Sequence, residues 1–322
     1  MNRDYPYTFL TISPLSQFGI LLALFGAGFL FGQIASLVIA LSVLHVPLVQ
    51  LGDALNKATN LSLLRWLQFV GTFLMFALPA FVFARIINRH PLKYIGFNSR
   101  FNWRQLLIVL LLIYAALYAQ STFGDLNESL YKALPNTMQK TFRQLDEDYN
   151  QQVMTMARMN NPTDYILSLL MLALLPAIFE EMFFRGAMEQ MFINLFRNPF
   201  AAIITTSIIF SIAHLSFEGF LTRLFLGIVL GYIFYYGKSI WLNILAHFIN
   251  NAVVVTDIYL LSREGKLTAE SMKDESYPLY VGILAIISIF ALFVFYKREC
   301  LNVVPASVVE SDSLNDHEFH IH

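Results

Sequence analysis

Long apolar runs separated by short polar turns constrain this chain more than any other feature. A helix that crosses the hydrocarbon core of a bilayer needs roughly 20 mainly apolar residues. Runs of that kind fall at Phe18–Leu44, Leu63–Ile87, Leu106–Gln120, Tyr165–Phe184, Phe200–Leu215, Phe220–Tyr236, Ile240–Tyr259 and Leu279–Tyr296. In lipid every backbone polar group must be satisfied internally, so runs this long read as helices. The expectation is an all-α, polytopic transmembrane bundle of about eight spanning helices. Composition agrees, since only 13% of the residues are charged, about half the share of a soluble domain. A net charge of −1 supplies no basic field for nucleic acid, so the lipid bilayer is the partner that composition specifies. The single cysteine, Cys300, excludes an intramolecular disulfide framework and a thiolate metal cluster. Its place beside Lys297 and Arg298 at a membrane edge argues against cysteine catalysis as well.

Loop charge sets the expected orientation. Arg85, Arg89, Lys93, Arg100 and Arg104 form the densest basic cluster, between the second and third runs. That turn is expected to be cytoplasmic, and alternation then puts Arg197, Lys238 and Lys297–Arg298 on the same side. Both termini are expected inside, in a multi-pass protein of the cell inner membrane. The first run is too long for the apolar region of a signal peptide and is read as a spanning helix. The polar stretch Phe123–Asn161, with Asp146, Glu147 and Asp148, reads either as an extracytoplasmic amphipathic helix lying over the bundle or as a solvated connector. The acidic tail after Asn302 is expected to be disordered. Its His317, His320 and His322 lack a rigid element that would present them together to a metal.

A charge at the centre of a spanning helix is disfavoured by about 2.5–3.5 kcal/mol on insertion scales, so such residues usually face a cavity and serve function. The first half of the chain has almost none; the second half has several. In Pro176-Ala-Ile-Phe-Glu180-Glu181-Met-Phe-Phe-Arg185-Gly186, Glu181 and Arg185 stand four apart and can pair on one helix face. Glu180 points about one hundred degrees away, toward a different neighbour. One carboxylate is thus expected to be neutralised structurally while the other stays available as a general base. Pro176 leaves the carbonyl of Leu172 without its helical donor and predicts a kink just before Glu180. Gly186 allows close approach of another backbone.

A second cluster, Phe210-Ser-Ile-Ala-His214, ends the fifth run and puts His214 one turn beyond Phe210. Glu218, a turn later, falls in the loop. The third, Asn243-Ile-Leu-Ala-His247-Phe-Ile-Asn250-Asn251, draws a polar stripe along an otherwise apolar helix. For Asn243 and Asn250, interhelical hydrogen bonding accounts for an amide in a bundle. An amide one turn from an imidazole, as Asn251 is from His247, can orient the ring or donate to a developing oxyanion.

Glu-Glu-x-x-x-Arg at Glu180–Arg185, Phe-x-x-x-His at Phe210–His214 and His-x-x-x-Asn at His247–Asn251, in that order on three hydrophobic segments, resemble the motifs of one family. It is the CPBP (CAAX protease and bacteriocin-processing, or Abi) family of intramembrane endopeptidases, related to type II CAAX prenyl proteases. The resemblance covers roughly residues 160–260. It implies Glu180 as the base that activates water, His214 and His247 as residues that hold that water or a metal, Asn251 as oxyanion donor, and Glu181 with Arg185 as the supporting pair. The expected organisation is therefore accessory helices and connector over 1–160, a CPBP-like catalytic core over 161–260, a loop and last span over 261–302, and the tail over 303–322. Glu180, His214 and His247 could form a zinc site with one open position. No His-Glu-x-x-His helix is present, and metal-independent catalysis is the reading preferred here. The expected partner is a membrane-embedded peptide or protein substrate, cut at peptide bonds of membrane-associated or C-terminal peptides. Prenylated CAAX-like peptides are one class that the resemblance implies, and bacteriocin precursors or membrane regulators are others. The competing readings are a proton-coupled transporter using the same Glu and His residues as a relay, and a non-catalytic scaffold. No inverted repeat or pair of matching broken helices supports transport.

Overall fold

The computed structural model describes residues 12–56, 61–98, 101–156, 159, 161–268, 271 and 277–303. The acidic tail with its three histidines, and Arg100 of the basic cluster, lie outside these residues. Among the described residues every regular element is helical. The principal helices are α1 (Pro14–Leu44), α2 (Leu61–Ile87), α3 (Trp103–Ala133), α4 (Asn136–Met156), α5 (Pro162–Phe196), α6 (Pro199–Ile212), α7 (Phe220–Gly237), α8 (Ile240–Arg263) and α9 (Leu279–Val303). Seven of them are long and apolar enough to cross a membrane, α4 and α6 being the two that are not. Their outward faces carry the apolar side chains a bilayer requires, such as Leu30, Phe31 and Phe290, which are all more than half exposed. The chain is a multi-pass membrane protein.

The helices run alternately between two ends of the bundle. At one end the turn after α2 meets the α7–α8 turn, where Asn98 Nδ2 donates to the Lys238 carbonyl at 2.5 Å and Ile240 N to the Gly96 carbonyl at 2.9 Å. Arg104 pairs there with Glu299 at 3.7 Å, and Lys297 lies over Tyr236. Phe18, near the start of α1, packs on Phe192, near the end of α5. The first and last described helices therefore begin and end at the same, basic end. The opposite end joins Arg65 of α2 to Asp164 and Ser168 of α5.

Two departures from the sequence reading shape this opposite end. The third run extends to Ala133, well past Gln120, because the polar residues after Gln120 meet protein rather than lipid. Asn127, for example, is buried and binds the α6–α7 loop. The polar stretch that follows folds into α4, which lies over that loop: Phe142 stacks on Phe217, and Asp146 accepts from Glu218 N at 3.1 Å. Helix α6, with 14 residues, is ~21 Å long at the α-helical rise, short of a ~30 Å hydrocarbon core. The loop after it stays within the protein, where irregular backbone is tolerated if its polar groups are met. Asn127 Nδ2 donates to the carbonyls of Phe217 and Glu218, Asn127 Oδ1 accepts from Leu221 N, and Arg223 donates to the Ser216 carbonyl.

Both interior prolines sit just after a π-helical segment. Phe73–Ala77 precedes Pro79, and Leu169–Leu174 precedes Pro176. A π-bulge absorbs the carbonyl that proline leaves without a donor. The α1–α2 contact is closest at Gly28, where a Cβ would run into the Leu74 carbonyl and lie 2.8 Å from Pro79 Cγ. Gly26, two residues earlier, faces open space. Gly28→Ala is expected to lower the melting temperature of the detergent-solubilised protein, overpacking a tight contact by about 1–3 kcal/mol. Gly26→Ala should hold or raise it, since alanine is the better helix former by about 1 kcal/mol. Equal effects of the two substitutions on thermal unfolding would show that the α1–α2 contact is looser than this.

Candidate active site

The two adjacent glutamates of α5 have different surroundings. Glu181 is fully buried and fully engaged: Oε1 meets Arg185 Nη1 at 3.3 Å and His247 Nδ1 at 2.9 Å, and Oε2 accepts from Asn243 Nδ2 at 3.3 Å. Arg185, equally buried, donates through Nη2 to the Gly227 carbonyl of α7 at 3.1 Å and lies over the Phe210 ring at 5.1 Å. Asn243 also donates to the Leu230 carbonyl of α7 at 2.7 Å. One carboxylate thus ties α5 to α8 and, through Arg185 and Asn243, to α7. Glu180, about a hundred degrees round the helix, has no such set. Its Oε2 is 3.9 Å from His247 Nε2, too far for a direct hydrogen bond, and the side chain faces a cavity.

Both histidines are held by one ring nitrogen. A carboxylate in an ion pair accepts hydrogen bonds and does not donate, so His247 carries its proton on Nδ1 and directs Nε2 toward Glu180. His214 Nδ1 is 2.9 Å from the Phe210 carbonyl, which likewise can only accept. Its Nε2 is left free for a second partner. Phe210 stands between the two rings, at 5.0 Å from His214 and 5.8 Å from His247 between ring centroids.

Glu180 and His214 line one cavity of about 1090 Å³. Its other walls come from α1, α2 and α4, with Gln33, Gln68 and Gln151 among the polar groups that face it. Asn251 stands one turn beyond His247, half-buried, its Oδ1 3.5 Å from Asn250 Nδ2. Asn250 also accepts from Gln120 of α3 at 2.9 Å. Among the described residues no three His, Cys, Asp or Glu side chains converge as a metal set. Glu180, His214 and His247 in this arrangement do not fit a three-donor zinc site, and the reaction below is written on the protein groups alone.

Several residues that bear on the site escaped the sequence motifs. Asn243, read as interhelical glue, bonds directly to Glu181. Glu189 is a third buried carboxylate on α5, two turns beyond Glu181, without a hydrogen-bond partner among the described residues. It lies against Gly231 of α7, where a Cβ would stand 3.0 Å from its Oε2. Gly186, expected to admit a close neighbour, does so: Ile95, in the turn after α2, fills the space a Cβ would need. Gln33 of α1 and Gln68 of α2 also face the cavity, and as uncharged amides they carry no ionisable signal in the sequence.

Residues 162–253 match the family model described as type II CAAX prenyl endopeptidase, Rce1-like. The match begins at α5, ends within α8, and contains all seven residues named by the three motifs. The resemblance to CPBP and type II CAAX proteases therefore holds over this segment. Helices α1 to α4 and α9 lie outside it. No curated protein and no solved structure matches the chain.

Removing one member of a buried ion pair strands the other, at a cost of about 3–5 kcal/mol. Arg185→Ala is therefore expected to lower the thermal stability of the protein strongly, and Glu180→Gln hardly at all. Melting curves of the two variants in detergent check this; comparable losses would mean that Glu180 is as structural as Glu181.

Proposed function

We propose, from the premise that residues 162–253 form a type II CAAX prenyl endopeptidase-like domain, that this chain is an intramembrane endopeptidase in which Glu180 activates water. The observation that carries the reading is the split between neighbours, with Glu181 consumed by Arg185, His247 and Asn243 while Glu180 opens with His214 onto the cavity. A water held between Glu180 and the free Nε2 atoms of the histidines gives its proton to Glu180 as its oxygen attacks the scissile carbonyl. The new C–O bond turns the carbonyl into an oxyanion, which Asn251 stabilises by hydrogen bonding. Glu180 then passes the proton to the departing amine, the C–N bond breaks, and a carboxylate and an amine leave. Glu181 fixes the tautomer and the aim of His247 throughout.

The substrate class is a membrane-associated or C-terminal peptide, with CAAX-like, prenylated sequences the first to try. Reading the basic end as cytoplasmic puts α4 and the cavity wall it supplies on the extracytoplasmic side of the cell inner membrane. Peptides would then enter from that side or laterally from the bilayer.

The test is hydrolysis by the purified full chain in detergent, using an S-farnesylated CAAX peptide and its unprenylated twin, alongside a comparison of membrane and secreted peptides from cells. Glu180→Gln is expected to reduce turnover by about 10²–10⁴, the usual contribution of a general base, and to erase peptide differences between cells with and without the protein. Full turnover in Glu180→Gln, or no peptide difference in cells carrying the wild-type chain, would overturn the reading. Proton-linked flux in liposomes would favour a transporter instead.

A further inference from the structure

The catalytic cavity is walled on one side by helices outside the family-matched segment. Two primary amides, Gln33 of α1 and Gln68 of α2, line it together with Glu180. Gln33 is exposed and Gln68 half-buried, and neither side chain has a hydrogen-bond partner among the described residues, so both amides are available to a molecule in the cavity. Ser36, three residues after Gln33, and Gly71, three after Gln68, line the same cavity and extend a stripe along each helix. The two stripes come together at Gly71, where a Cβ would stand 3.9 Å from Ser36 Oγ, an ordinary contact distance. Thr72 also lines the cavity but turns its hydroxyl back to the Gln68 carbonyl at 2.8 Å. The two glutamine amides, with the Ser36 hydroxyl, are therefore the polar side-chain groups that this wall presents.

We infer that Gln33 and Gln68 are positioning residues that bind the main chain of the substrate peptide across the cavity from Glu180. This rests on the endopeptidase reading above and adds to it the way the peptide is held. A primary amide carries two donors and an acceptor, and so matches the N–H and C=O of an extended peptide in either register. An acyl or isoprenoid chain offers neither, and would leave both amides unpaired. Recognition through the main chain makes the enzyme tolerant of side-chain sequence near the cleaved bond and sensitive to the loss of a backbone N–H.

The experiment measures binding, so it does not depend on turnover. Full-length Glu180→Gln protein in detergent is titrated with a fluorescein-labelled, S-farnesylated CAAX peptide, and with analogues in which one backbone amide at a time is replaced by an ester. At least one ester should bind about tenfold more weakly than the amide peptide, the worth of one hydrogen bond. Adding Gln33→Leu and Gln68→Leu should weaken the amide peptide by about tenfold or more and abolish the ester penalty. That penalty is a ratio within one protein, so it holds whatever fraction of the variant folds. An ester penalty unchanged in the leucine variants, equal affinity of the two proteins, or no peptide binding would overturn the inference. So would full displacement of bound peptide by phosphatidylglycerol micelles with no ester penalty, which would assign the wall to lipid. Hydrolysis of the same peptide by the wild-type chain separately judges the endopeptidase reading. Cleavage together with an unaltered ester penalty would retain the protease and discard the amide wall.

Discussion

A fully buried guanidinium and carboxylate organise the second half of this protein. Taking such charges out of water costs several kcal/mol each, so the structure is stable only where every partner is in place. Glu181 and Arg185 reach out of α5 to α7 and α8: Arg185 donates to the Gly227 carbonyl, Glu181 accepts from Asn243 and His247, and Asn243 donates in turn to the Leu230 carbonyl. The same bonds set the relative height of three helices. They also fix which nitrogen of His247 carries the proton, so an electrostatic requirement of folding becomes the orientation of a group at the candidate active site.

Backbone irregularity does comparable work. The π-helical segments Leu169–Leu174 and Phe184–Glu189 bracket the glutamate pair. The first accommodates Pro176; the second contains Arg185 and Gly186 and turns Glu189 toward α7. Helix α6 stops short of a full crossing, so His214 is delivered at depth, and the loop beyond it must be satisfied by protein. Asn127, Asp146 and Arg223 do that. The polar helix α4 thereby both covers the loop and completes the wall of the cavity that holds Glu180 and His214.

How much of this was legible in the sequence differs from element to element. Seven of the eight apolar runs mark helices long enough to cross a membrane, because hydropathy reports the solvent a helix faces. The same signal shortened α3, whose last turns face protein and carry polar residues, and it left two readings for α4. The pairing of Glu181 with Arg185 is visible as a spacing of four, and the separation of Glu180 as a step of one. That His247 and Asn243 complete the Glu181 shell was not visible, since the partners are more than sixty residues away. Gln33 and Gln68 carry no charge to single them out in an apolar run, and Glu189, although four residues after Arg185, lies beyond the motif that pairs Arg185 with Glu181.

What the sequence by itself determined is therefore local and periodic: the all-helical membrane class, the alternation of the long helices, and the three ordered motifs. Periodicity along one helix settles which residues share a face, and nothing beyond the chain's own geometry is needed to read it. Only the tertiary structure decided which faces meet. It assigned one glutamate to the buried ion pair and the other to the cavity, and it brought two amides from the first helices to the same cavity. Contacts between helices depend on packing height and rotation, which are set by the close approach at Gly28 and the charge network at Arg185, and neither quantity is written in a linear spacing.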